Sequence, residues 1–209
     1  MNVDVMDFSA ANFRRRVLSD GEGVAEREDG DHTLNPDERL FGEGIKLKDA
    51  AVLVPVVDYG RDARVIFTQR TSTLRKHSGQ ISFPGGGIDA DDRSPEDAAL
   101  RETEEEIGLD RSFIETVGRL PDYVSGTGFR IMPVLAVVRP GFDLTPNPTE
   151  VDEVFEVPLS FLMQPSNHRQ ASRIFQGKER FFYEMPYGER YIWGITAGIV
   201  RRIYERFYS

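Results

Sequence analysis

The stretch "FPGGGIDADDRSPEDAALRETEEEIGLD", residues 83 to 110, narrows the fold more than any other part of the chain, because it dictates a backbone turn, a helix and both helix ends. Successive glycines permit conformations and close approaches that a Cβ would block. Ser94 suits an N-cap, Pro95 a first helical turn, and Glu96 and Asp97 the positive end of the helix dipole, while Gly108 suits its end. The spacing therefore predicts a helix from Pro95 to Ile107. At about 100° per residue, Glu102 and Glu106 share one face with Glu105 beside them, and Ala99, Leu100, Thr103 and Ile107 take another arc. Like charges at this spacing repel by roughly a few tenths of a kcal/mol per pair, so the face calls for a counter-charge. Arg101, four residues before Glu105, supplies part of it. A hard divalent cation would supply more, since Mg²⁺ favours carboxylate oxygens together with phosphates and waters. The competing reading is a solvated Glu-rich surface. The glycines favour the cation, because their carbonyls can ligate metal and their amides can approach phosphate.

Composition limits what else the chain can do. At 209 residues and 39% hydrophobic content it can bury a core as one domain with an appendage. It has no cysteine, which excludes disulfides, thiolate metal sites and cysteine nucleophiles, and fits a reducing compartment. A cytoplasmic location is the default, with no signal peptide and no membrane span, the apolar runs "AAVLVPVV" and "IMPVLAVV" being too short. The formal charge of −9 argues against nucleic-acid binding, and it is concentrated in residues 20 to 39, which hold eight acids and two bases.

That acidic stretch reads as a connector between a helix over residues 7 to 18 and a domain from residue 46 to 209. Residues 1 to 45 leave three roles open: docking on their own domain, mediating a homodimer, or neither. Within the domain, "AAVLVPVVDYG", "ARVIFTQR" and "GQISFPGG" read as strands before the helix, and "IETVGRL", "RIMPVLAVV" and "VDEVFEVPL" as strands after it. "LSFLM" starts a short helix, "ERFFYEMPYGERYIWGI" a hairpin turning at "PYGE", and "TAGIVRRIYERFY" a closing amphipathic helix. Tyr191 and Trp193 are expected as core aromatics of that hairpin, and "SGTG" at 125 to 128 as either a mobile turn lining the pocket or a plain loop. Strands mixed with few helices imply a layered α/β domain.

Gly87 followed by Arg101-Glu102-Thr103-Glu104-Glu105-Glu106-Ile107-Gly108-Leu109 resembles the Nudix box. Thr103 stands at an apolar position of that pattern, and Arg93 where its first Glu would be. Upstream, "IFTQRTSTLRKHSGQISFPGG", residues 66 to 86, resembles the signature of the coenzyme A diphosphatase subgroup, with Thr68, Arg70, Arg75, Gly79, Phe83, Pro84, Gly85 and Gly86 in register. Asp89 and Asp92 fit the same subgroup, and the likeness runs over about residues 48 to 207.

The resemblance implies a Nudix α/β/α sandwich with a mixed sheet between helices. It also implies Mg²⁺- or Mn²⁺-dependent hydrolysis of the diphosphate of coenzyme A or its thioesters, a small-molecule substrate, to 3′,5′-ADP and 4′-phosphopantetheine or its acyl form. Glu102, Glu105 and Glu106 would be metal ligands with the Gly87 carbonyl, and Glu105 alternatively the water-activating base. Arg101 would orient Glu105, and Glu150 in "NPTEVDEV" would be a distal carboxylate. Arg70, Arg75, His77 and Gly86 would meet the substrate, the bidentate arginine fork suiting phosphate. Two alternatives stay open: another nucleoside diphosphate such as ADP-ribose, and a non-catalytic Nudix-like ligand sensor, against which the intact Arg101, Glu102, Glu105 and Glu106 weigh.

Overall fold

The structure, a computed structural model, describes residues 6–20, 29–36, 46–72, 79–175 and 177–209. In chain order the elements are α1 (Ala10–Asp20), β1 (Asp29–Gly30), β2 (Lys48–Val57), β3 (Arg64–Arg70), β4 (Ile81–Ser82), β5 (Gly85–Gly87), α2 (Pro95–Ile107), β6 (Ile114–Arg119), β7 (Tyr123–Val124), β8 (Phe129–Val138), β9 (Val151–Pro158), α3 (Leu159–Leu162), β10 (Arg169–Phe175), β11 (Lys178–Tyr187), β12 (Arg190–Trp193) and α4 (Ile195–Phe207). The centre is a parallel pair, β2 with β8, in unbroken register from Lys48↔Phe129 to Val57↔Val138. Both strands are nearly continuous apolar runs, as strands covered on two faces must be. Antiparallel neighbours complete a mixed sheet: β3 on β2, β9 and β4 on β3, β6 and β7 on β8, and β5 on the start of β2.

Alternation along the strands separates the two faces. Ala51, Leu53, Val134 and Ala136 meet Ala98 and Ala99 of α2. On the opposite side, Val54, Val56, Leu135 and Val137 join Phe13 and Val17 of α1 and Ile199, Ile203 and Phe207 of α4 in the main core. The layers are helix, mixed sheet, helix, which is the α/β/α sandwich expected from the sequence. None of the helices among the described residues is long and apolar enough to cross a membrane.

Residues 29–36 of the acidic stretch are tied into this domain. Asp29 and Gly30 pair with Tyr123 and Val124. The Asn35 side chain accepts the Phe181 N–H at 2.9 Å and donates to the Phe181 carbonyl at 3.0 Å, as a neighbouring strand would. The same segment holds the "SGTG" turn, since the Gly126 N–H donates to Asp31 at 2.6 Å, and within the turn the Ser125 and Thr127 hydroxyls bond each other at 2.9 Å.

β10, β11 and β12 form a second antiparallel sheet whose Met185 and Ile192 enter the main core beside α4. The expected hairpin turns between Tyr187 and Arg190. Its aromatics depart from expectation: Tyr191 is 44% exposed and stacks on Trp193, over which the Arg173 guanidinium lies at 4.7 Å. These rings occupy the outward face, because alternation from the buried Ile192 turns residues 191 and 193 away from the core.

Candidate active site

The glycines and α2 are brought together by β2. β5 pairs with its first half, setting Gly87 opposite Ala50, Gly86 opposite Ala51 and Gly85 opposite Val52. Alternation along β2 sends Ala51 and Leu53 to α2, so the glycine strand lies against the same helix. The α2 ends are those read from sequence. The Ser94 hydroxyl accepts the Asp97 N–H at 3.2 Å, Pro95 opens the first turn, and Gly108 ends the helix at φ 70° with its N–H on the Glu104 carbonyl. Thr103 satisfies its buried position by donating its hydroxyl to the Ala99 carbonyl at 2.6 Å.

Each of two glycines is required for a different reason. A Cβ on Gly85 would sit 2.4 Å from the Ala51 carbonyl oxygen at φ +149°, a clash with main chain in a conformation that L residues rarely adopt. A Cβ on Gly86 would sit 2.4 Å from Oε2 of Glu102, a clash with the end of a flexible side chain. Gly85→Ala is therefore expected to lower the melting temperature and soluble yield. Gly86→Ala should fold with nearly unchanged melting temperature but displace the Glu102 carboxylate and lose most of its activity. Thermal melts and rates on the two purified variants check the contrast; equal melting temperatures would overturn it.

Glu106 is the buried member of the acidic face, 3% exposed. Its Oε2 accepts the Gly85 N–H at 3.0 Å, and its Oε1 lies 3.7 Å from Nη1 of Arg70, the last residue of β3. Burial, with Glu150 and Glu102 nearby, pushes its pKa up to about 7 against the lowering effects of Gly85 and Arg70. Glu102 is also raised, chiefly by burial, opposed by Arg101 and assisted by Glu105 and Glu150. Glu105 is solvent-exposed.

Arg101 holds the acidic face to the loop before it. Its guanidinium makes a bidentate pair with Asp92, Nε to Oδ1 at 2.9 Å and Nη2 to Oδ2 at 2.8 Å. It also donates to Glu102 at 2.9 Å, to Glu105 at 3.3 Å and to the Gly87 carbonyl at 3.2 Å. Asp92, held down to about 2 by Arg101, in turn accepts the Asp89 N–H at 2.8 Å. Sequence spacing pointed to Glu105 as the partner of Arg101, whereas its shortest contacts are with Asp92 and Glu102. Arg93, the departure from the box pattern, is 85% exposed and pairs with Asp97 at 3.3 Å, so bracing of the loop falls to the preceding aspartate.

Glu150 comes from a loop docked on the C-terminal end of α2. The Thr145 N–H donates to the Ile107 carbonyl and the Asn147 N–H to the Glu106 carbonyl, each at 2.8 Å, and the Thr71 N–H donates to the Glu150 carbonyl at 3.0 Å. This brings Glu150 within electrostatic reach of both Glu102 and Glu106. Arg70, Gly86, Gly87, Arg101, Glu102, Glu105, Glu106 and Glu150 thus border one region, while Arg75 and His77 lie outside the described residues. Sequence reasoning missed Asn147, whose signal was an asparagine among the turn-forming prolines of "TPNPTE".

The donor set is all oxygen, the chemistry that hard divalent cations take, and the buried Glu106 carboxylate has one short hydrogen bond and one distant cation as compensation. The residues therefore fit such an ion in kind. Among the described residues no three acidic or imidazole groups gather around one cation position, and the Arg101 guanidinium engages Glu102, Glu105 and the Gly87 carbonyl.

Comparison with known proteins adds an independent line. Residues 47–176 match the family described as NUDIX domain. The chain is 38% identical over 165 residues to a protein of Citrobacter koseri, covering 79% of this chain and 85% of that protein. It is 36% identical over 161 residues to one of Escherichia coli K12, covering 77% and 83%. Both are called uncharacterized Nudix hydrolase NudL. Among solved structures, a Nudix hydrolase of M. smegmatis, RenU, aligns over 56% of this chain and 80% of its own at 22% identity and a TM-score of 0.43.

Proposed function

This chain belongs to the NUDIX family of hydrolases, and from that premise we propose that it cleaves the diphosphate bond of coenzyme A or its thioesters with Mg²⁺ or Mn²⁺ bound on α2. For diphosphate cleavage the supporting observation is the buried, under-compensated Glu106 carboxylate beside Glu102, Glu150 and the glycine strand. For coenzyme A it is the register of Thr68, Arg70, Arg75, Gly79 and Phe83 to Gly86 with the subgroup signature.

In this reading Glu102 and Glu106, with the Gly87 carbonyl, would hold the cation, which when bound would supply charge neutralisation to the diphosphate. Glu105, exposed to solvent, would be a further ligand or accept the proton of the attacking water, and Glu150 adds a carboxylate from the loop docked on α2. Arg70 presents a guanidinium fork to phosphate, and Arg75 and His77 follow it in the same segment. Arg101 orients Glu102 and Glu105. The glycine strand lets substrate approach main chain where a side chain would stand.

Incubation of purified protein with coenzyme A and either metal, with ADP-ribose in parallel, tests the reading by chromatographic identification of products. Release of 3′,5′-ADP and 4′-phosphopantetheine is expected. Absence of 3′,5′-ADP under both metals overturns the substrate, and cleavage of ADP-ribose alone transfers the activity to the other nucleoside diphosphate class.

A further inference from the structure

Asn147 stands where two parts of the site meet, and it is committed on every side. Its main-chain N–H donates to the Glu106 carbonyl at 2.8 Å, and its own carbonyl accepts the N–H groups of Glu150 at 3.0 Å and Val151 at 2.9 Å. Its side-chain Oδ1 accepts the Thr149 N–H at 3.1 Å and the Thr149 hydroxyl at 2.8 Å. A main-chain N–H can only donate, so these bonds fix which end of the amide is oxygen. The Nδ2 group therefore faces Oε1 of Glu150, at 3.3 Å.

That contact has a physical task. Glu150 borders the same region as the Glu102 and Glu106 carboxylates, and because like charges repel, an unrestrained glutamate there would turn toward solvent. Among the described residues the Asn147 amide is the hydrogen-bond donor on that carboxylate. Its main chain is anchored to the very turn of α2 that carries Glu106, so the amide sets Glu150 relative to Glu106 through a short rigid link.

We propose that Asn147 is a positioning residue of the hydrolase, holding the Glu150 carboxylate against the Glu102–Glu106 pair. The inference rests on the role given to Glu150 above, and its test separates the two. Asn147→Asp keeps Oδ1 for Thr149 and replaces the donor facing Glu150 with a second carboxylate oxygen. Measured at pH 8 with the substrate that the wild type turns over, it should lower kcat by about tenfold to a hundredfold, the usual cost of losing a group that orients a reactive one. KM should stay within about twofold, because ground-state binding is untouched. In Asn147→Asp/Glu150→Gln the donor and acceptor are exchanged, so the double variant should be no slower than Glu150→Gln alone.

A crystal structure of Asn147→Asp gives a readout independent of turnover, with the Glu150 carboxylate expected to turn away from residues 102 and 106. Asn147→Ala, which removes the donor without adding charge, guards against a folding defect in the aspartate. A Glu150 carboxylate left in place in both variants, or additive losses in the double variant, overturns the positioning role. Unchanged kcat in Glu150→Gln instead overturns the catalytic part given to Glu150, whatever position 147 does.

Discussion

Glu106→Gln is expected to make the metal-free protein more stable at pH 8 while reducing turnover by about a thousandfold, the scale on which loss of one charge-stabilising group acts in a site. The opposed signs come from one cause. The Glu106 carboxyl is buried and titrates near 7 in the folded chain, against 4.5 for the unperturbed side chain. Its proton-bound form contributes stability that is fully present below about pH 4.5 and is lost as pH rises through about 7. The loss across that window is of order 3 kcal/mol. Glutamine keeps an oxygen for the Gly85 N–H and carries no charge, so the variant escapes the loss. Thermal melts in chelator should therefore coincide at pH 4.5 and separate at pH 8, with the variant higher by several degrees. Adding Mn²⁺ at pH 8 should raise the wild-type melting temperature more than that of the variant. A variant less stable than wild type in chelator at pH 8 would refute the electrostatic account, and near-normal turnover would refute Glu106 as a ligand.

Arg101→Ala should be the most damaging single change for the loop between the glycine strand and α2. One guanidinium satisfies Asp92, Glu102, Glu105 and the Gly87 carbonyl, so its removal leaves three carboxylates of the same sign without their shared cation. The expected result is a lower melting temperature, faster proteolysis between residues 87 and 94, and loss of activity that Mg²⁺ does not restore. The acid limb carries a specific signature. Asp92 titrates near 2 in the folded chain against 3.8 unperturbed, so its pairing contributes stability above about pH 4 that is lost as pH falls through about 2. That acid-dependent component should vanish in Arg101→Ala, as followed by melts between pH 2 and 5. Arg101→Lys should recover only part, since an ammonium cannot reproduce the two parallel bonds to Asp92. Retention of the wild-type acid limb in the alanine variant would show that Asp92 is held by something else.

What could be read ahead of the structure follows the range of the forces involved. The caps of α2, the faces of its glutamates and the runs forming β2, β3, β8 and β9 depend on neighbours a few residues away, and each lies where its pattern pointed. β1, two residues long, exists only because a distant segment pairs with it. β10 was hidden because its residues are polar or exposed on both faces, so no alternation marks it. In the site, helical spacing put Arg101 beside Glu105 but could not show that the loop folds back to offer Asp92. The family resemblance pointed to Glu150 as a distal carboxylate, and nothing in the sequence showed that Asn147 links it to the helix. The position of Arg93, a puzzle as a string of letters, is an exposed ion pair with Asp97.

The parallel pairing of β2 with β8 also bears on how the chain reaches this state. The two strands align residues about 80 positions apart, Lys48 with Phe129 and onward, and α2 with its glycine strand lies within the loop they close. Such non-local pairing is the slow, entropically costly kind of contact in folding. The helix, with its caps encoded locally, has the means to form early. Glu106 gains its buried setting only when the central pair zips. The acidic site is therefore expected to assemble late in folding, once the sheet is rigid enough to hold it.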